Sequence, residues 1–136
     1  GSIEDFDSSK KYDSMIVIGI LSHLKSINST IIKLKKILKR EGDLIIQFSD
    51  YSSIITKMNI FLSKRNYPIN KLTKDEMLQI IDSLGFKLKS EIQYSILLPG
   101  MGRLPDKILY HLTMLTYKNS FLSNYGTEII WHLKKK

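Results

Sequence analysis

The stretch Ser14-Met15-Ile16-Val17-Ile18-Gly19 decides the fold. It is short and largely apolar, with β-branched residues at its centre, and reads as a strand buried on both faces, the kind found in parallel sheets. Downstream, Asn28, Ser29 or Thr30 can cap a helix that carries Ile31, Leu34, Ile37 and Leu38 at helical spacing. Glu41-Gly42 is expected to end it, the glycine supplying a left-handed cap. Asp43 to Phe48 then reads as a second strand. Strand, helix of about three turns, glycine turn and strand form the crossover unit that joins parallel neighbours.

Working outward, Tyr51 to Lys64 reads as a helix outside the sheet, closed by an Asn66-Tyr67-Pro68 turn. Thr73-Lys74-Asp75-Glu76 fits a capping box ahead of Met77, Leu78, Ile80, Ile81 and Leu84, with Gly85 as the stop. Phe86 to Leu98 should hold a strand ended by Pro99-Gly100. Leu104 to Leu122 should be largely helical, and Thr127 to Leu133 a last strand. The order β-α-β-α-α-β-α-β points to a single α/β domain over residues 1–136, with Gly1-Ser2 read as a tag remnant.

Apolar residues make up 43% of the 136-residue chain, enough for a core and too many for a disordered segment. The longest apolar run, Met15 to Leu21, is too short to cross a bilayer. No leader pattern is seen, so the expected location is cytoplasmic, without a membrane partner. The absence of cysteine excludes disulfides, thiolate metal sites and a thiol nucleophile. Lysine and arginine number 21 against 13 acids, a formal +8 that suits an anionic partner. These cations are scattered along the chain, however. Lys33, Lys36 and Arg40 would share one solvated helix face, opposite Ile31, Leu34 and Leu38.

Three segments carry a resemblance. Lys11-Tyr12-Asp13-Ser14-Met15-Ile16-Val17-Ile18-Gly19-Ile20-Leu21-Ser22-His23-Leu24 resembles the fourth-strand motif of class I S-adenosylmethionine-dependent methyltransferases. Leu34 to Ile46 looks like their following helix and fifth strand, and Thr73 to Leu88 is similar to their late helix, with its closing Gly85-Phe86. Together the matches cover roughly residues 3 to 90. The family's amino-terminal glycine-rich cofactor loop and the acidic strand end that follows it have no counterpart. Gly100-Met101-Gly102 comes late, after Pro99, and reads as a turn. The resemblance therefore implies a partial Rossmann-like methyltransferase sheet: the last four strands, a parallel pair plus antiparallel carboxy-terminal strands, flanked by helices.

By that resemblance the cofactor is S-adenosylmethionine in an intact parent. Ile3, Glu4 and Asp5 would lie near its adenine, and Gly19, Ile20 and Leu21 beside its methionine end. His23 would stand between cofactor and acceptor, where a neutral imidazole can take a proton from a hydroxyl or amine. It could equally cap or pack the loop after the strand. Ser22 occupies the family's usual acidic position, and Tyr94, Met101, Arg103 and Tyr110 would line the pocket of a small-molecule acceptor. Glu4, Asp5 and Asp7 also read as a solvated acidic cluster. Asp75 and Glu76 suit the first turn of a helix. His111 and His132 lack partners at metal-ligand spacing, so no metal is expected.

Three functions compete. One is a methyltransferase fragment, inactive alone. A second is a non-catalytic α/β interaction module or partner subunit derived from such an enzyme. A nucleic-acid-binding protein ranks last, for want of a basic stripe or stacking platform in the linear sequence. In the family the strand matching Ser14–Gly19 lies mid-sheet. Here it would be an open edge, which predicts pairing with a missing amino-terminal half or self-association through Ser14–Gly19.

Overall fold

The computed structural model describes residues 3, 6, 8–63, 70–96 and 101–136. Strand β1 (Tyr12–Val17) pairs in parallel with β2 (Leu38–Ser49), from Ser14 opposite Asp43 to Val17 opposite Ile46. Helix α1 (Ile27–Ile37) makes the crossover between them. After β2 come α2 (Ile54–Ser63), α3 (Lys74–Ser83), β3 (Phe86–Tyr94), α4 (Asp106–Lys118), the single-turn α5 (Ser120–Ser123) and β4 (Glu128–Lys135). The last strand inserts between β2 and β3, antiparallel to both, so the sheet order is β1-β2-β4-β3. The α/β class and the parallel pair are as the sequence implies, and the antiparallel carboxy-terminal strands are as the resemblance implies.

The inward face of the sheet explains the strand pattern. Leu44, Ile46 and Phe48 of β2 alternate inward, as do Ile129, Trp131 and Leu133 of β4, and all are buried. They join Val17 and Phe86 in one core with Ile27, Ile31, Leu34 and Ile37 of α1 and Met77 and Ile81 of α3. Phe48 and Trp131 meet edge to face, with ring centroids 4.7 Å apart. The indole N–H of Trp131 donates to Glu91 Oε2 at 2.8 Å, and Glu91 Oε1 pairs with Lys74 Nζ at 2.6 Å. One carboxylate thus satisfies a core donor and ties the start of α3 to β3.

The opposite face is more open and more polar. His132 and Lys134 flank Asp43 there, at 2.7 and 3.2 Å. These hydrogen bonds, His132 first, hold the Asp43 carboxyl below its ordinary value. On β1 the outer residue Ile16 is 67% exposed. None of the described helices is long and apolar enough to cross a membrane.

The α3 capping box forms as read, with Thr73 Oγ1 accepting from Glu76 N and the Glu76 carboxylate accepting from Thr73 N. Elsewhere the boundaries move. The cap of α1 is Ser26, which accepts from Ser29 N, rather than Asn28, Ser29 or Thr30. That helix stops at Ile37, and Leu38 is already extended. Lysines end it: Lys135 Nζ donates to the carbonyls of Lys35 and Leu38 at 2.8 and 2.7 Å, and Lys11 Nζ donates to that of Lys36. Arg40 therefore belongs to β2 and shares no helix face with Lys33 and Lys36.

The glycine turn survives as a kink inside β2. Tyr12 faces Leu38 while Ser14 faces Asp43, so the residues between loop out, and Glu41, not Gly42, takes the left-handed conformation at φ 58°. Gly42 is needed for closeness instead: a Cβ there would meet Leu38 Cγ at 2.6 Å, Lys39 O at 3.0 Å and Asp13 O at 3.1 Å.

Helix α2 begins at Ile54 rather than Tyr51, since Asp50 and Ser52 form a turn first. Strand β3 ends at Tyr94, before Ser95 at φ 68°. The 104–122 helix is split at Asn119, whose side chain caps α5. Strand β4 runs on through Lys134 and Lys135. The Asn66-Tyr67-Pro68 and Pro99-Gly100 turns lie outside the described residues. Substituting Gly42→Ala is expected to cost about 1–3 kcal/mol through overpacking of the kink, measured by urea unfolding. An unchanged midpoint would refute the close approach.

Candidate functional site

Because β1, β2 and β3 run parallel to one another, their carboxyl ends share one edge of the sheet. In open α/β sheets this is the edge where ligands bind. After Val17 the chain leaves β1 through Ile18 and Gly19, which has φ +70° and no heavy atom within 4 Å of where a Cβ would sit. Such backbone is bare and can be approached closely. Leu21–His23 follows as one 3-10 turn, with Leu21 buried, Ser22 half-buried and His23 exposed. His23 N donates to Ile20 O at 2.9 Å, which fixes the start of the turn.

Asn70 pins this loop from outside. Its backbone N donates to Ser22 O at 2.9 Å, and its side-chain amide donates to Leu24 O. Gly19, Ile20, Leu21, Ser22 and His23 are therefore held as one unit at the expected edge. Ile3 lies partly buried against the core, while Glu4 and Asp5 fall outside the described residues. Tyr94 ends β3 at the same sheet edge, three strand spacings from β1, about 14 Å. Met101 and Arg103 form a single 3-10 turn before α4, and Tyr110 lies on α4, 60% exposed.

Tyr94 has company that the sequence reading missed. It lies opposite Glu128, the first residue of β4. The Glu128 carboxylate accepts from Gln47 Nε2 at 3.0 Å and from Ser49 Oγ at 2.7 Å. Burial raises the phenol pKa of both Tyr51 and Tyr94, and the nearby Glu128 charge adds to it. Two tyrosines and a carboxylate thus gather at the ends of β2, β3 and β4.

Asp50 was missed as well. It is buried, and its carboxylate accepts from Ser52 N at 2.9 Å, Ser52 Oγ at 2.7–2.8 Å and Lys74 N at 3.1 Å. Its own backbone N donates to Thr127 O at 2.9 Å, and Tyr51 N donates to Leu72 O at 3.1 Å. Asp50 is the post that ties the end of β2 to the start of α3 and the approach to β4. The run Ser49-Asp50-Tyr51-Ser52-Ser53, polar directly after a buried strand, is the signal that marks it.

Asp50→Ala should destabilise the chain by about 2–3 kcal/mol, because buried backbone and hydroxyl donors lose their acceptor. Asp50→Asn should recover part of this. Equal loss in both variants, in chemical unfolding, would favour a purely ionic role.

No protein-family model matches the sequence, and no curated protein matches it either. Solved structures do. A S-adenosylmethionine-dependent methyltransferase from Thermotoga maritima superposes over 100% of this chain with a TM-score of 0.70 at 13% identity. Magnesium protoporphyrin IX methyltransferase from Synechocystis PCC 6803, solved with bound S-adenosylhomocysteine, superposes over 100% with a TM-score of 0.62 at 12% identity. The [4+2]-cyclase SpnF does so over 99% with a TM-score of 0.60 at 10% identity. This chain spans 62%, 49% and 55% of their respective lengths. With identities this low the likeness is one of fold, and the fold of this chain is that of the class I S-adenosylmethionine-dependent methyltransferases.

Proposed function

We propose that this chain is part of a S-adenosylmethionine-dependent methyltransferase that methylates a small-molecule acceptor, and that it is inactive alone. The observation that carries the reading is the Gly19–His23 loop: a bare glycine at the carboxyl end of a parallel strand, followed by a pinned turn that presents His23. Gly19, Ile20 and Leu21 would border the methionine end of the cofactor, and His23 would accept the acceptor's proton. Ser22, Tyr94, Met101, Arg103 and Tyr110 are assigned to the acceptor side, with Tyr51 and Glu128 added. Methyl transfer is a displacement at carbon, so alignment and exclusion of water are the main tasks of these residues.

In the same reading the outer edge of β1 is covered by another strand, supplied by a longer chain or by a second copy. Ile16 at 67% and Ile18 at 54% exposure support this, since apolar side chains on an unpaired strand favour association. A second reading is a non-catalytic module built on the same fold, since a fold does not by itself fix an activity.

Titration with S-adenosylhomocysteine, followed by amide chemical shifts, tests the two readings. Saturable shifts at Gly19–His23 are expected and would favour the first; silence there up to millimolar ligand would show that this chain alone holds no cofactor, as an inert enzyme piece or a non-catalytic module. Sedimentation equilibrium tests the edge: the chain should self-associate, and Ile16→Lys should return it to monomer. A wild-type monomer at all concentrations would rule out the second copy.

A further inference from the structure

The cations that look scattered in the sequence are gathered by the sheet. At the end opposite the Gly19–His23 loop, Arg40 of β2, Lys87 and Lys89 of β3, and Lys134, Lys135 and Lys136 around the end of β4 line one cleft of about 380 Å³. Glu41 is the sole acid in that lining. Three of the six cations are already engaged. Lys134 pairs with Asp43 at 3.2 Å, Lys136 pairs with Asp82 at 3.4 Å, and Lys135 caps the carbonyls that end α1. Arg40, Lys87 and Lys89 form no ion pair with any described residue.

The arrangement sets like charges close together, which a bound anion would relieve. Lys87 stands directly across the antiparallel pair from Lys134, and like charges so placed are destabilising. Lys89 falls at the bulge between Leu88 and Ser90 and is exposed. Burial, with Lys11 and Lys35 close by, lowers the pKa of the Lys135 ammonium, a further sign of cationic crowding.

We infer that this basic cleft binds the phosphate backbone of a single-stranded nucleic acid, irrespective of base sequence. Two features select that ligand. Arg40 and the β3 lysines rise from strands two spacings apart, about 10 Å at the backbone, which is narrower than even the roughly 12 Å major groove of a duplex and suits one strand. The lining is charged throughout, with no apolar side chain to enter a bilayer, and it is concave where a membrane is flat; without an aromatic side chain to stack a base, its contacts are to phosphate alone. The inference does not depend on methyl transfer, because the cleft lies at the other end of the sheet.

Fluorescence anisotropy of a labelled oligouridylate tests it on the chain as it stands. Three phosphate contacts give a slope of about −2 in log K against log salt, or about 20-fold weaker binding at 200 than at 50 mM potassium chloride. K87A/K89A should move the slope toward zero by about 1.4, and R40A by about 0.7. K107A/K118A removes the same charge from exposed positions on α4 and should leave the slope unchanged. Equal effects of the two double variants would reduce the binding to net charge and overturn the site. So would absence of oligouridylate binding at low salt. Capture by phosphatidylserine vesicles, lost in K87A/K89A while oligouridylate does not bind, would assign the cleft to a membrane and overturn it too.

Discussion

Everything in this molecule depends on β4 being wedged between β2 and β3. Its inward residues Ile129, Trp131 and Leu133 are wholly buried, and Trp131 brings an indole N–H that must find an acceptor inside the protein. Glu91 supplies it from the neighbouring strand and holds Lys74 with its other oxygen. The largest core side chain is thereby coupled to the position of α3. On the other face, Asp43 of β2 takes His132 and Lys134 of the same strand. One strand is fastened on both faces, by packing on the first and by charge on the second.

The elements legible in the sequence are those whose signal is local. The capping box Thr73–Glu76 and the buried alternation of Leu44, Ile46 and Phe48 needed no tertiary information. The end of α1 did need it. Nothing near Ile37 in the sequence stops a helix; what stops it is Lys135, about a hundred residues on, donating to its last carbonyls. The Glu41-Gly42 signal was real but belonged to a kink, because the Leu38 side chain and the Asp13 carbonyl crowd the glycine.

The site divides in the same way. The loop after β1 can be read from its strand, so Gly19 to His23 sit together at the expected edge. Asp50, Tyr51 and Glu128 come from two strand ends nearly eighty residues apart, and no linear pattern joins them. The basic cleft is hidden for the same reason. Its cations are unremarkable singly and meaningful only once β3 and β4 are adjacent. Solved structures with this fold include methyltransferases and a cyclase, so the chemistry must be sought in such side-chain groups rather than in the sheet.

The central place of β4 also sets the timing of assembly. Until Glu128–Lys135 has been synthesised, β2 and β3 have no shared neighbour, and the edge of β2 that β4 takes stays open. A nascent chain on the ribosome would therefore wait with its parallel pair made and its sheet open until β4 emerges. Contacts of such long range close slowly and leave edges free to stray. Of the four strands, the one made after the other three is not added at a rim of the sheet but inserted between two of them.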